Sequence, residues 1–332
     1  MERSPFSQAN LTPEILEKEA HEYVERIDQV KDVLEKHIDF KMVGDIISDI
    51  YRKCYPEISD TTIKKCLDAI YQPRIEVVYN VLPKEGSGME YIDAITNGVS
   101  FKFSARSFFQ NEEINTAHIL HTAIHEAIHI ASATYEGVSV GEYSETVRGF
   151  RRSVSLNQEN EQDEKYTSFF DAFNEGMTEM LADVVYAEYL ARNGEVASPL
   201  YEKVDEESGL KYGLADPPVT YENQRISVLA LISDLASASG AEEEDIFRSL
   251  TAEYFTGGGL DRNDLLQYFR KGDDVYEWIE EFKRNHIRDY GEDGYDFVHN
   301  KLPSGVRSYV QALFGRDVVG RHNERVSVER EQ

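Results

Sequence analysis

The amino-acid sequence predicts an α+β protein that is predominantly α-helical. Apolar residues recur at roughly helical spacing in residues 11–72 and again beyond Pro217-Pro218, which indicates amphipathic helices. Between these regions, residues 74–104 contain short β-branched and aromatic runs that are typical of strands. We therefore expect a small antiparallel sheet packed on long helices, in three parts: a helical N-terminal segment (1–72), a core (73–194) and a helical C-terminal subdomain (195–332).

The N-terminal segment is predicted to contain three helices. Apolar residues recur among Glu and Lys up to Val33, and a second helix is predicted over 42–54. A third begins near Asp60, which can cap it together with the two threonines that follow, and ends before Gln72-Pro73. This part of the chain is therefore expected to be helical throughout.

The next segment changes to strand-like patterns. Residues 74–81 (RIEVVYNV) are rich in β-branched residues, and two shorter runs follow at 91–96 (YIDAIT) and 99–104 (VSFKFS). Asn97-Gly98 separates the shorter runs, and both residue types accept the positive φ that a tight hairpin turn requires. Two or three adjacent antiparallel strands are therefore expected just before the next helix.

Two long helices are predicted in the core. The first covers about 114–133 and is apolar around much of its circumference, which indicates burial. Residues 135–165 are polar and rich in Gly, Ser, Asn and Glu, so we interpret them as an irregular surface segment. The second long helix covers about 166–193. Further helices are expected at 220–238, 242–254, 261–270, 273–287 and 304–314.

The charge of the chain limits its partners. A net charge of −27, from 35 basic and 62 acidic groups, disfavours nucleic acid and anionic membranes, since both require a basic face. No apolar run approaches the ~18–20 residues of a membrane span, and the pattern of the first 20 residues does not predict a secretory signal. The expected location is therefore the cytoplasm, with signal-less export left open, and the oligomeric state is not indicated. Cys54 and Cys66 are interpreted as ordinary small apolar residues.

The stretch HTAIHEAIHI at 121–130 contains a metal-site pattern. His125 and His129 are four residues apart, so on a helix they lie one turn apart and about 40° around the axis, where two imidazoles can bind one metal ion. Glu126 lies about 100° from His125, near such an ion but not directed at it. A general base for a water molecule belongs at this position, and the H-E-x-x-H pattern therefore predicts a hydrolytic metal site.

A third ligand is expected on the second long helix, because hydrolytic zinc sites usually take three protein ligands and keep a position for water. Glu175, Glu179 and Asp183 share one row at intervals of four; a solvated helix face has the same pattern. Gly176 lowers helix stability, so its presence indicates close packing against a neighbouring helix. A ligand at Glu175, with Glu179 orienting a histidine ligand one turn later, would explain the row.

The motif HEAIH at 125–129, together with NEGMTE at 174–179, resembles the gluzincin group of zinc metallopeptidases. The resemblance implies that His125, His129 and Glu175 bind one zinc ion, that Glu126 is the general base, and that Glu179 supports a histidine ligand. It also implies a zincin-like core over about 74–190. In this group a strand upstream of the metal helix commonly lies beside an extended substrate, and here that strand would be Val99–Ser104.

Two features bear on the family. The step from His129 to Glu175 is longer than in the best-known secreted gluzincins. The metzincin alternative requires Gly at position 132 and His at position 135, where this chain has Ser132 and Tyr135. The motif therefore favours the gluzincin resemblance over the metzincin one.

The remaining candidates concern substrate and transition state. An oxyanion formed during hydrolysis usually needs a donor besides the metal, and Tyr221 with Arg225 is our choice, with Tyr254 as the alternative. His121 is interpreted as a packed or hydrogen-bonded helix residue, although a contact with substrate or with a ligand histidine stays open. His118 is interpreted as structural.

The predicted function is zinc-dependent hydrolysis of peptide bonds, with one zinc per chain and a polypeptide substrate, most simply by an endopeptidase. The acidic charge weakly favours neutral or basic segments as substrate. Two alternatives remain. One is a non-proteolytic zinc-binding scaffold, which a closed four-ligand site including His121 would favour. The other is a helical protein-interaction module, which the absence of bound metal would favour.

Overall fold

The computed structural model describes residues 13–80, 94–96, 99–110, 113–132, 134–136, 143–156, 166–169, 171–192, 222–256 and 308–314. These residues are mostly helical, with small sheets. The helices are α1 (Pro13–Lys36), α2 (Phe40–Cys54), α3 (Asp60–Tyr71), α4 (Thr116–Ala131), α5 (Asp171–Arg192), α6 (Glu222–Ser239), α7 (Glu243–Thr256) and α8 (308–314). The strands are β1 (Ile75–Val78), β2 (Ala94–Thr96), β3 (Phe101–Ser104), β4 (Phe109–Gln110), β5 (Glu113–Ile114), β6 (Thr134–Glu136), β7 (Tyr143–Arg148), β8 (Arg151–Leu156) and β9 (Tyr166–Phe169).

The N-terminal helices follow the sequence prediction closely. The side chain of Asp39 accepts a hydrogen bond from the backbone N–H of Met42 at the start of α2, and Ser59 does the same for Thr62 at the start of α3. Such caps satisfy amide groups that have no partner within the helix. The cap of α3 is therefore Ser59, one residue before the predicted Asp60. The apolar face of α2 is buried against α3, α5 and α7.

The first sheet is mixed, so the prediction of an entirely antiparallel sheet is wrong. Its strand order is β1-β3-β2, in which β2 is antiparallel and β1 parallel to β3. The expected antiparallel pairing of the two shorter runs is confirmed, since β2 pairs with β3 and Thr96 lies opposite Phe101. Asn97-Gly98 itself lies outside the described residues. Alternation along the chain identifies strands, whereas their neighbours are chosen by tertiary packing.

The position of β3 contradicts the expectation that Val99–Ser104 lies beside an extended substrate. β3 is flanked by β1 on one side and β2 on the other, and Phe101 and Phe103 are fully buried. Its backbone groups are therefore already paired and cannot receive another chain. Among the described strands of this sheet, β2 is an outer strand, and it contacts α4.

A second, four-stranded antiparallel sheet, β6-β7-β8-β9, occupies the region predicted to be irregular, so that prediction is wrong. β9 also replaces the first residues of the predicted helix over 166–193. The strands contain few apolar residues, which makes the strand signal weak. The missed signal is Gly149, which lies in the turn between Arg148 and Arg151, the last cross-strand pair of β7 and β8. Its φ of +56° is a conformation that favours glycine.

The helices α4 and α5 pack against each other at the centre of the fold. Asn115 caps α4 by accepting from the backbone N–H of His118, and nearly every residue of α4 is buried, as predicted. α5 packs on α6, and Gly176 allows this approach, since a Cβ there would lie 2.4 Å from the carbonyl oxygen of Gln224. The expectation of close packing at Gly176 is therefore confirmed.

The C-terminal part is described only partly. α6 and α7 match the helices predicted at 220–238 and 242–254. The helices predicted at 261–270 and 273–287 lie outside the described residues, and of 304–314 only the helical 308–314 is described. One continuous apolar core includes residues from all three predicted parts, and the division at 72 and 194 stays a prediction. None of the described helices combines the length and hydrophobicity needed to cross a bilayer.

Candidate metal centre

The helix α4 carries both histidines of the motif on consecutive turns, and α5 brings Glu175 beside them. Nε2 of His125 and Nε2 of His129 are 3.1 Å apart. Oε2 of Glu175 lies 3.1 Å from Nε2 of His129 and 3.4 Å from Nε2 of His125. Three atoms from two helices therefore converge on one point.

The spacing of these atoms fits a single metal ion. Bonds of about 2.0–2.1 Å in a tetrahedral arrangement place neighbouring ligand atoms about 3.3–3.4 Å apart. The three observed separations of 3.1, 3.1 and 3.4 Å are close to this value. Two imidazoles and a carboxylate are also a donor set that zinc accepts. Both the spacing of the three atoms and their chemical types therefore fit a zinc ion.

The group is enclosed on the α4 side and partly open beside Glu175. The side chain of His125 is 8% exposed, that of His129 14% and that of Glu175 24%. Within the described part of the chain, no fourth His, Cys, Asp or Glu joins the group. An ion held here would therefore have three ligands from the described residues, of which Glu175 is the most exposed.

Glu179 orients His125 from the side opposite the group. The Nδ1–H of His125 donates to Oε2 of Glu179 at 2.5 Å, which leaves Nε2 directed toward His129 and Glu175. A carboxylate on the second ring nitrogen fixes both the tautomer and the ring orientation of a ligand histidine. Burial raises the pKa of Glu179, but the charges of His121, His125 and Arg225 outweigh it and hold that pKa well below its ordinary value.

The side chains of His125 and Glu175 have strongly shifted pKa values. Burial lowers the pKa of His125, but the carboxylates of Glu179, Glu175 and Glu126 dominate and hold it well above its ordinary value of 6.5. Burial raises the pKa of Glu175, while His129 and His125 bring it well below its ordinary value of 4.5. The nearby carboxylates thus favour the protonated form of His125, and a metal ion bound at its Nε2 would displace that proton.

Glu126 lies on α4 beside His125 and outside the converging group. It is 6% exposed, and its charge contributes to the raised pKa of His125. A carboxylate next to a metal group that is not itself one of the converging ligands is what a general base requires.

His121 faces away from the converging atoms. Its Nε2 lies 3.0 Å from Oδ1 of Asp183, and its ring packs on the edge of Tyr186. This arrangement agrees with the interpretation of a packed, hydrogen-bonded residue, and His121 does not supply the fourth ligand that a closed site would need. His118 packs against Phe108, as a structural residue would.

The candidate oxyanion donors lie in different places. Arg225 is fully buried, and its Nη2 donates to Oε1 of Glu179 at 2.5 Å. Tyr221 lies outside the described residues, so its role stays a prediction, as does a donor role for Arg225. Tyr254 is fully buried with its hydroxyl 2.7 Å from Oγ1 of Thr178, an arrangement that does not suit a group directed at substrate.

Two features near the site were not foreseen from the sequence. Asp183 contacts His121 and lies 3.4 Å from Nη1 of Arg225; its place in the row after Glu175 and Glu179 was the available signal. The turn between β7 and β8 also contacts α5 at Asn174, the residue before Glu175, whose side chain accepts a hydrogen bond from the backbone N–H of Phe150. That contact joins distant segments and has no local signature in the sequence.

Comparison with known proteins does not assign the chain to a family. No family model matches the sequence, and no curated protein or solved structure matches it either. The resemblance to gluzincins is therefore one of sequence motif alone. Within the described residues, His125, His129 and Glu175 form a group that could hold a metal ion, whose identity is not fixed by the structure.

Proposed function

We propose that the protein is a zinc-dependent metallopeptidase that hydrolyses internal peptide bonds of a polypeptide. The observation that carries the proposal is the convergence of Nε2 of His125, Nε2 of His129 and Oε2 of Glu175 within 3.4 Å of one another. Two features support hydrolysis over a purely structural role: the three-ligand group is partly open, and Glu126 is buried beside it.

The residues have distinct roles in this proposal. His125, His129 and Glu175 hold the ion, which when bound supplies a Lewis acid that polarises a carbonyl group and lowers the pKa of water toward ~7. Glu126 accepts a proton from the attacking water and later donates it to the departing amine. Tyr221 is the proposed donor to the oxyanion of the tetrahedral intermediate.

The substrate is proposed to lie along β2 (Ala94–Thr96) rather than along β3. β2 is an outer strand of the first sheet in the described part of the chain and contacts the metal helix α4. An outer strand can hydrogen-bond the backbone of an extended peptide without regard to its side chains. A polypeptide of neutral or basic composition suits the net charge of −27.

Cleavage of unstructured peptides by the zinc-loaded chain tests the proposal, with mass spectrometry to locate each cut. We expect internal cuts that a zinc chelator abolishes and that zinc restores. The same panel with Glu126→Gln serves as the matched control for a contaminating peptidase, because this variant keeps the proposed ligands. Removal of single terminal residues would indicate an exopeptidase, and cuts that persist in Glu126→Gln but vanish in Glu175→Ala would contradict the assigned role of Glu126.

A further inference from the structure

A buried network of charged side chains extends behind the metal group across three helices. It links His125 and His121 on α4, Glu179 and Asp183 on α5, and Arg225 on α6. Arg225 is its centre: Nη2 donates to Oε1 of Glu179 at 2.5 Å, and Nη1 lies 3.4 Å from Oδ2 of Asp183. The two carboxylates in turn contact His125 at 2.5 Å and His121 at 3.0 Å.

The two oxygens of Glu179 serve different partners. Oε1 accepts from Arg225 and Oε2 accepts from His125. The guanidinium therefore fixes the plane of the carboxylate, and the carboxylate fixes the imidazole whose Nε2 faces the metal group. All of these side chains except that of His125 are at most 3% exposed. Because these side chains are almost entirely removed from bulk solvent, the geometry of each group depends on its neighbours.

The packing of α5 on α6 brings Arg225 within reach of this carboxylate. A Cβ on Gly176 would lie 2.4 Å from the carbonyl oxygen of Gln224 and 2.7 Å from its carbonyl carbon. Gln224 directly precedes Arg225. The close approach that glycine allows on α5 is therefore made at the turn of α6 that carries the arginine.

We propose that Arg225 is a positioning residue of the metal centre, acting through Glu179 to hold the His125 imidazole in its ligand orientation. The inference rests on the proposed metal site. None of the described residues of α6 is a ligand, and yet through Arg225 this helix would control the affinity for the ion. Asp183 is the second anchor of the guanidinium and keeps His121 turned away from the metal group.

The test measures metal binding rather than activity, in the full chain. Arg225→Met removes the charge and both contacts while keeping an unbranched apolar side chain. We expect its zinc affinity, from competition with a chromophoric chelator, to fall about 10–100-fold. Loading the same variant with Co²⁺ should change the position or intensity of the visible absorption bands, because the orientation of one imidazole ligand changes. Arg225→Lys keeps the charge but not the planar pair of donors, so its zinc affinity should lie between those of the wild-type chain and of Arg225→Met.

The matched control is Arg192→Met. Arg192 lies on α5 and forms ion pairs with Glu188 and Asp49, neither of which is one of the converging ligands. This variant should lose stability without changing zinc affinity or the Co²⁺ spectrum. The comparison separates positioning from a general loss of stability.

The outcomes are distinct. Wild-type zinc affinity and an unchanged Co²⁺ spectrum in folded Arg225→Met would overturn the inference. If that variant does not fold, Arg225→Lys decides: wild-type affinity and spectrum overturn the inference, and a fall of at least about 3-fold with a changed spectrum supports it. Failure of the wild-type chain to bind zinc would instead overturn the proposed function, so the two failures are distinguishable.

Discussion

His125 and Glu179 are joined by a hydrogen bond of 2.5 Å between Nδ1 and Oε2, behind the atoms that converge on a metal position. The bond fixes which nitrogen of His125 is free to bind a metal ion. It also places a buried carboxylate where its charge favours a cation in the group. Several measurable consequences depend on this pair and on the ligands in front of it.

The metal content is the first of these consequences. We expect about one zinc per chain after zinc repletion, because three ligand atoms converge at one position. Elemental analysis of purified protein measures the ratio. His129→Ala, which removes one ligand, should reduce it strongly. A ratio well below one in the replete wild-type chain would remove the basis for the peptidase proposal and favour a protein-interaction module.

Mutations should distinguish the general base from a metal ligand. Glu126→Gln is expected to keep zinc and to lower peptide hydrolysis about 10²–10⁴-fold, since the amide cannot accept the proton of the attacking water. Glu175→Ala is expected to lose both zinc and hydrolysis. The reverse pattern, in which Glu126→Gln loses zinc and Glu175→Ala keeps it, would show that the two roles are exchanged.

Zinc uptake should release protons. The pKa of His125 lies well above 6.5 in the metal-free protein, so at pH 7 its imidazole carries a proton that must leave before Nε2 can bind zinc. We expect roughly one proton released per zinc, and an affinity that rises with pH up to the raised pKa. Calorimetric titration in buffers of different ionisation enthalpy measures the proton count. A buffer-independent enthalpy would contradict this prediction.

The same shifts set the stability of the metal-free protein. His125 has a raised pKa, so its contribution to the free energy of unfolding is complete below pH 6.5 and is lost as pH rises through the raised pKa. Glu175 has a lowered pKa, so its contribution to the free energy of unfolding is complete above pH 4.5 and is lost as pH falls through the lowered pKa. Both contributions are complete between 4.5 and 6.5. For this pair, denaturant unfolding of the metal-free chain should show greatest stability there, and zinc should extend it to higher pH.

Gly176→Ala should weaken the protein and its metal site together. The new Cβ would meet the backbone of Gln224, which cannot rotate away, and α6 with Arg225 must shift. We expect a net loss of about 1–3 kcal/mol in unfolding free energy, despite the better helix propensity of alanine, and weaker zinc binding. Gly44→Ala is the matched control, since its Cβ would meet the ring of Tyr71 at 2.7 Å and should leave zinc affinity unchanged.

The sequence by itself determined the metal helix and the ligand row. His125 and His129 face one position because four residues make about one helical turn, and this holds wherever the helix packs. The row of Glu175, Glu179 and Asp183 follows from the same geometry. The N-terminal helices and the pairing of β2 with β3 also follow from local signals, namely caps, apolar periodicity and a turn sequence.

Tertiary structure decided which members of these rows meet. On α5, Glu175 contacts the metal histidines, while Asp183 contacts His121, and nothing in the spacing of the row distinguishes them. The rotation and crossing of α4 and α5 assign each carboxylate its partner, and those depend on packing across the core. Likewise the position of Arg225 in the sequence does not show whether it faces substrate or the interior. In the structure it donates to Glu179 on α5, the helix that approaches α6 closely at Gly176.

The same distinction explains the errors in the sheets. β3 has a strand pattern in its own sequence, but its central place depends on β1 pairing from the far side, a contact between segments distant along the chain. The strands β6 to β9 have few apolar residues, so their pairing with one another, rather than a hydrophobic stripe, defines them. Local periodicity fixes which face a side chain takes within its own element, whereas the neighbour on that face is fixed only when the elements pack.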